Sequence, residues 1–335
     1  MNSLLSLHGR LGSIGQLSMR ETPPNVQYNN LTNLTAVSGW GMINRNPAYS
    51  GFALRVEDAA SPGTTTDIAF DANGRVTGTP PYGSNTRVVI VYDQWGSDNL
   101  TALYTQGVGV AEESIDYSSW KLLFTGAGGL LSTALTGAPA PWELARPVVV
   151  SGFERTTSAG LQIFWGVQSD ANFMEIGLWQ ENEDPHWRVN GSTQSDWLNA
   201  DWNIDASVVR NVLSRFIQDY SDTASPATAY FNGAAAGTRD FGYPIGYSAN
   251  KPLGWGTWSG IGSNLTGNGF EVHVFDTAAP ISAENIAILD GGINNFNAIP
   301  PDEQAVAAHS VYIVEGQAAS GRQLVSVHNI YVVET

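Results

Sequence analysis

Short apolar runs and turn signals alternate along this chain from about residue 36 to residue 300. Phe52-Ala53-Leu54-Arg55-Val56 alternates like a half-buried strand, and Asp67-Ile68-Ala69-Phe70-Asp71 follows as its partner. Ala72-Asn73-Gly74 then supplies hairpin-type turn chemistry. Arg87-Val88-Val89-Ile90-Val91-Tyr92 is nearly continuous in apolar residues and predicts a buried strand. Further runs lie at 148–153, 161–167, 174–179, 216–219, 227–231 and 270–275, with Gly or Asn in almost every gap. Many short strands at a spacing of roughly 8–12 residues predict an all-β sandwich. Helical pattern is scarce. Ser282 through Leu289 is the best case, with Ser282 as N-cap and Gly291-Gly292 as a stop. A second short helix is predicted over 43–49.

The ends of the chain differ in texture. Residues 1–35 are polar and rich in Asn and Pro (Thr22-Pro23-Pro24-Asn25), which predicts an arm or linker that orders against a partner, or a frayed terminus. The pattern breaks again near Ile299-Pro300-Pro301. Beyond it Ser310-Val311-Tyr312-Ile313-Val314, a turn near Ser320-Gly321, and residues 324–333 predict a closing β-hairpin that pairs with the main sheet or with a neighbouring chain. The expected organisation is therefore an arm over 1–35, a sandwich over 36–300 and a C-terminal hairpin over 301–335.

Composition narrows the function. Charged residues make up only 14%, against the usual quarter, and the formal net charge is −16. A basic footprint is absent, so nucleic acid is not an expected partner, and the acidity disfavours an anionic membrane. A neutral-polar surface suits neutral ligands such as sugars. The chain has no cysteine, which excludes disulfides, thiolate metal sites and cysteine nucleophiles. The first residues, Met1-Asn2-Ser3-Leu4-Leu5-Ser6-Leu7-His8, lack a basic region and a long apolar stretch, so no signal peptide is expected.

Three stretches resemble one family. Gly51 to Val56, Thr66 to Asp71 and Val91-Tyr92-Asp93-Gln94-Trp95-Gly96 are similar to the opening of the arabinofuranosidase-B-like catalytic domain. Ala229-Tyr230-Phe231-Asn232-Gly233 resembles the Asn-Gly hairpin of laminin-G-like and concanavalin-like sandwiches. Gly269 to Asp276, with Ile293-Asn294-Asn295-Phe296 after it, is similar to the last core strand and closing helix. The likeness spans about residues 36–300 and implies a concanavalin-like, jelly-roll type sandwich of two sheets. The same pattern recurs in structural proteins of phage particles. It therefore implies a virion subunit: a capsid decoration, a head fibre or a tail-associated part. Such a part would contact other virion proteins through residues 1–35 and 301–335, and other copies of itself as a trimer. The alternatives that the resemblance leaves open are a carbohydrate-binding module for host glycans and an arabinofuranosidase-like hydrolase.

A retaining glycosidase needs two carboxyl groups about 5–5.5 Å apart. The resemblance puts Glu175, in Phe173-Met174-Glu175-Ile176-Gly177, at the nucleophile position. In the loop Gly260-Ile261-Gly262-Ser263-Asn264, however, Ser263 or Asn264 stands where the family carries its acid/base Asp, and neither exchanges a proton near neutral pH. The family's paired vicinal cysteines are missing too. The expectation is thus a vestigial Glu175 and no enzyme, with Glu181, Glu183 or Asp184 as possible second carboxylates. Trp179, Trp255, Trp258 and Asn264 are the candidate sugar contacts, since indole faces stack on sugar rings; the alternative is that tryptophan fills the core. Trp165 and Trp179 lie within strands and read as core, whereas Trp255 and Trp258 lie among Gly and Ser and read as lying at a surface or an interface. No metal-binding His spacing occurs, and His273 reads as structural. Asp201/Asp205 and Asp219/Asp222 could hold Ca²⁺ or be solvated loop acids; no other cofactor is expected.

Overall fold

The computed structural model describes residues 27–29, 31–102, 108–111, 119–126, 128–132, 147–155, 162–170, 173–181, 184–190, 194–197, 213–219, 227–239, 252–257, 265–277, 279–294, 312–318 and 321–327. The chain divides into two compact units, one of residues 25–298 and one of residues 1–24 with 299–335.

The larger unit is an antiparallel β-sandwich. Its first sheet runs in the spatial order β16 (Ala234–Arg239), β15 (Ala227–Phe231), β14 (Ser214–Asp219), β9 (Pro147–Arg155), β18 (Thr266–Thr277) and β1 (Leu34–Gly41). Its second sheet runs β13 (Gln194–Trp197), β12 (Asp184–Asn190), β11 (Phe173–Glu181), β10 (Gln162–Asp170), β17 (Leu253–Trp255), β8 (Leu130–Ser132), β5 (Leu100–Ala102), β4 (Thr86–Val91), β2 (Phe52–Asp58) and β3 (Thr65–Ala69). Two strands, β6 (Val108–Ala111) and β7 (Lys121–Thr125), connect β4 to β18 and so join the sheets at one corner.

That corner depends on a bulge. The register of β18 against β9 skips Phe270. Before the bulge, residues 266–269 of β18 pair with β7; after it, residues 271–277 pair with β1. An extra residue bends a strand and lets it change neighbours, which is how sandwich corners are made.

Both faces of β18 are covered. Inward, Trp40, Phe153, Phe164, Trp165, Phe216 and Val272 fill the space between the sheets. Trp165 Nε1 donates to Gln218 Oε1 at 3.1 Å, a hydrogen bond that crosses from one sheet to the other. Outward, helix α1 (Ala283–Asn294) lies over β9 and β14 and buries Ile286, Leu289 and Ile293. Ser282 Oγ accepts from Asn285 N at 3.1 Å, the N-cap that the sequence predicts. Arg215 Nε donates to Asp290 Oδ1 at 2.7 Å and fastens the helix to β14. The β15–β16 turn places Asn232 and Gly233 at φ 49° and 79°, the left-handed pair that an Asn-Gly hairpin favours.

Three boundaries differ from expectation. The packed core begins before residue 36: Tyr28, Leu31 and Leu34 are buried, and Asn285 of α1 exchanges hydrogen bonds with the backbone of Thr32 at 2.8 and 3.2 Å. Helix α1 does not stop at Gly291-Gly292 but runs to Asn294, because Ile293 reaches the core; Gly292 is left without room for a side chain beside the Tyr28 hydroxyl. Residues 43–49 form a turn rather than a helix. Asn44 and Asn46 hydrogen-bond to nearby backbone groups, which competes with helix formation.

The smaller unit contains β19 (Tyr312–Ala318) and β20 (Gly321–Val327), which form a two-stranded sheet of their own. Their register pairs Tyr312 with Val327 and Val314 with Val325, placing these four apolar positions on one face. Ile313, Glu315 and Gln317 pair with Ser326, Leu324 and Arg322 on the other.

Candidate functional site

Two arginine–carboxylate–tyrosine groups organise the sandwich, one inside and one outside. The inner group lies on the α1 side of the first sheet. Arg45 and Glu271 are both fully buried. Arg45 Nε donates to Glu271 Oε2 at 2.8 Å and Nη2 to Oε1 at 2.9 Å, a bidentate pair. Arg45 Nη2 also donates to Gly292 O in the last turn of α1, where a cation suits the helix dipole. Tyr28 places its ring 5.0 Å from the guanidinium carbon and its hydroxyl 3.2 Å from both Glu271 Oε1 and Leu289 O. His273 Nε2 lies 3.2 Å from Glu271 Oε2.

Burial pushes the Glu271 carboxyl up, but Arg45 and the His273 contact outweigh it and hold the group at about 2. Burial likewise pulls the Arg45 guanidinium down, and Glu271 reverses that, raising it. Burial drives the Tyr28 phenol well above its ordinary value. All three groups thus hold fixed protonation states at neutral pH, which suits a structural clamp and not proton transfer. Gly39 makes room for it: a methyl group there would lie 2.0 Å from His273 Nδ1.

The Tyr92-Asp93-Gln94 segment serves the same purpose. Asp93 is buried, which pushes its carboxyl up, while backbone N–H groups of Trp95, Gly39, Gly96 and Asp98 act against that rise. Oδ1 accepts from Gly39 at 3.0 Å and Trp95 at 2.9 Å. Gln94 Oε1 accepts from Arg45 N at 2.8 Å, and its Nε2 donates to Ile43 O at 2.9 Å. Asp93 and Gln94 therefore hold β1 and the loop segment that delivers Arg45. These motif residues position the fold.

The outer group faces solvent on β2, β3 and β4. Arg55 Nε and Nη2 donate to Asp67 Oδ1 and Oδ2, both at 2.8 Å, and Tyr92 Oη donates to Asp67 Oδ1 at 2.9 Å. The side chains of Arg55 and Asp67 are 39% and 24% exposed. Hydrogen bonds from Arg55, ahead of the cost of desolvation, hold the Asp67 carboxyl below its ordinary value. Phe52 is 47% exposed, with its ring centroid 6.3 Å from that of Tyr92. Arg87 and Glu57 form a second ion pair on the same strands.

The residues singled out from sequence fare unevenly. Trp255 is fully buried: it pairs across from Trp165 and Leu130, and its ring lies 6.0 Å from Phe124. The surface expectation for Trp255 is thus corrected; it stands on a short central strand of the second sheet, and its indole packs into the core. Trp179 is buried too, paired across from Ile163 and His186, so it fills the core as its strand context predicts and does not present the open indole face expected of a sugar contact. Trp258, Ser263 and Asn264 lie outside the described residues, as do Glu183, Asp201, Asp205 and Asp222. Asp219 is a buried strand residue whose Oδ2 accepts from Ile281 N at 3.1 Å, not a solvated loop acid. Among the described residues no group of three His, Asp or Glu is arranged to hold a metal ion.

Glu175 sits where β11 carries an extra residue: Ile176 pairs with Val167 and Met174 with Gln168 of β10, and Glu175 is skipped. Glu181 pairs with Asp184 at the far end of β11. Six residues at about 3.3 Å each put both roughly 20 Å from Glu175, beyond reach of a glycosidase pair. The nearest acidic position along the ladder is Asp170, opposite Phe173.

No family model matches this chain, and neither does any curated protein. Among solved structures, an arabinofuranosidase complexed with arabinofuranosyl-α-1,2-xylobiose is similar with a TM-score of 0.53 at 12% identity, covering 79% of this chain and 64% of that one. Domain 4 of AbnA, an extracellular GH43 arabinanase from Geobacillus stearothermophilus solved with arabinotriose, gives a TM-score of 0.41 at 13% identity, covering 72% and 99%. Trypanosoma rangeli sialidase in complex with the inhibitor DANA gives 0.40 at 12%, covering 60% and 30%. The chain thus spans under two thirds of the arabinofuranosidase and about a third of the sialidase. The likeness to the arabinofuranosidase is one of fold: both are built on a β-sandwich.

Proposed function

We propose that this chain is a non-catalytic subunit of a phage particle, a capsid decoration, head-fibre or tail-associated part that uses its sandwich as a scaffold and engages neutral glycans. The observation that carries the reading is the β19–β20 hairpin. It is a two-stranded sheet in a unit separate from the sandwich, with Tyr312, Val314, Val325 and Val327 sharing one face. A two-stranded ribbon is marginal alone and gains stability by packing. Packing against other copies as a trimer supplies that. The family-like motifs support the non-catalytic part, because Asp93 and Gln94 hold backbone and Glu271 is paired with a buried arginine.

Light scattering on the full chain tests the assembly. A trimer is expected, and Val314→Asp with Val325→Asp reduces it to monomer while the sandwich unfolds at the same temperature. A monomeric unaltered chain overturns the reading. Hydrolysis is the second reading, favoured by the position of Asp170 two residues along the ladder from Glu175. Turnover of an aryl arabinofuranoside that Glu175→Gln abolishes would establish it and refute a non-catalytic role.

A further inference from the structure

The outer face of β2, β3 and β4 carries aromatic and paired charged groups that stay open to solvent. Phe52 and Leu123 are the large hydrophobic residues left exposed among the described residues, and a single exposed side chain is ordinary. The company of Phe52 is not. Tyr92 lies beside it with the two ring planes tilted by 44°, so the pair forms a splayed aromatic platform. Directly next to it, Asp67 takes hydrogen bonds from Arg55 Nε, Arg55 Nη2 and Tyr92 Oη. Those contacts fix the guanidinium and the phenol in orientation, and none of them uses Arg55 Nη1. Fixing polar groups before a ligand arrives lowers the entropic cost of binding.

From this geometry we infer that the Phe52–Tyr92–Arg55–Asp67 face binds a neutral oligosaccharide, with the rings stacking on sugar faces and Arg55 and Asp67 contacting hydroxyls. This names a site for the glycan engagement proposed above and rests on that reading. Charge argues for a neutral ligand. Arg55 is balanced by Asp67 and Arg87 by Glu57, so the strip carries no net charge, while the chain as a whole carries −16. A polyanionic glycan meets repulsion from the chain and no surplus cation on the strip. Aromatic faces beside planar hydrogen-bonding groups match the alternating C–H faces and hydroxyl edges of a sugar.

Affinity electrophoresis of the full chain through native gels containing arabinan, xylan, galactomannan or dextran tests this, with polygalacturonate as the anionic control. At least one neutral polysaccharide should retard the chain, and polygalacturonate should not. Phe52→Ala should weaken retardation at least about fivefold, the size of effect expected for a central aromatic contact, while Phe52→Trp retains it. Arg55→Met should weaken it while leaving the unfolding temperature unchanged. If the unaltered chain is retarded and Phe52→Ala is retarded equally, this site is wrong and the glycan reading stands. If no neutral polysaccharide retards the chain, both fail. If Phe52→Ala instead lowers the mass seen by light scattering, the face is a contact between copies, and the sugar assignment is overturned.

Discussion

The inner and outer clamps are built from the same three kinds of residue. Arg45–Glu271–Tyr28 and Arg55–Asp67–Tyr92 both combine a two-point arginine–carboxylate contact with a phenol hydroxyl on the same carboxylate. Their shortest nitrogen–oxygen distances are the same, 2.8 Å. What differs is water. Glu271 and Arg45 are fully buried, whereas Arg55 and Asp67 stay in contact with solvent. In a buried pair each charge depends on the other, because neither retains its hydration. In an exposed pair water replaces a lost partner at little cost. Geometry that looks alike on paper therefore makes a structural clamp in one place and an accessible polar surface in the other.

The largest effect should come from breaking the inner clamp on one side. Glu271→Gln leaves the Arg45 charge buried without its counter-ion and should cost about 3–5 kcal/mol of unfolding free energy in urea. The double substitution Arg45→Met with Glu271→Leu removes both charges and should recover most of that loss. If it does not, the clamp's contacts to Gly292 and Leu289 matter more than its charge balance. Gly39→Ala comes next, at about 1–3 kcal/mol, because its methyl group meets His273 in a packed interior.

Acid sharpens the comparison further. The folded Glu271 carboxyl lies near 2 against an ordinary 4.5, so its contribution is full above about pH 4.5 and is lost as pH falls toward 2. Over that window stability should drop by up to about 1.4 kcal/mol per pH unit from this group alone, and Glu271→Gln should flatten the profile. The smallest effect belongs to Asp67→Asn. It should leave the urea midpoint within experimental error while weakening polysaccharide retardation. A loss as large as that of Glu271→Gln would show that the two clamps do the same work.

Much of the sandwich was legible because strands write their burial with period two. The hairpin at 52–71 and the turn at Asn232-Gly233 follow from local pattern and turn chemistry. The apolar run at 87–92 does give a strand at 86–91, although Val89 and Ile90 in it are half-buried where the sequence predicts full burial. So does the N-cap at Ser282. The candidate site was harder to read. Trp255 sits among Gly and Thr, a local texture of surface loop, yet three residues of strand place its indole in the core. Gly291-Gly292 is a sound local stop signal, but burial of Ile293 in the core carries α1 past it. Neither Tyr28 nor Arg45 carries any local sign of a role. Gly39, facing His273 from β1, is the residue whose purpose was hidden in the same way. The roles of Tyr28, Arg45 and Gly39 depend on Glu271 and His273, more than two hundred residues away, and Trp255 finds its partners Trp165, Leu130 and Phe124 on strands well outside its own local stretch.

The sequence by itself determined an all-β chain with one capped helix, an acidic and cysteine-free character, and a resemblance centred on Tyr92-Asp93-Gln94. It did so because alternation, caps and turns are properties of neighbouring residues. Only the tertiary structure decided which charged residues are buried, that the motif positions a backbone, and that Arg55, Asp67, Tyr92 and Phe52 meet on one open face. Burial is set where strands distant in sequence come together, and even the Arg55–Asp67 pair, made within one hairpin, acquires its exposure only from the folded chain.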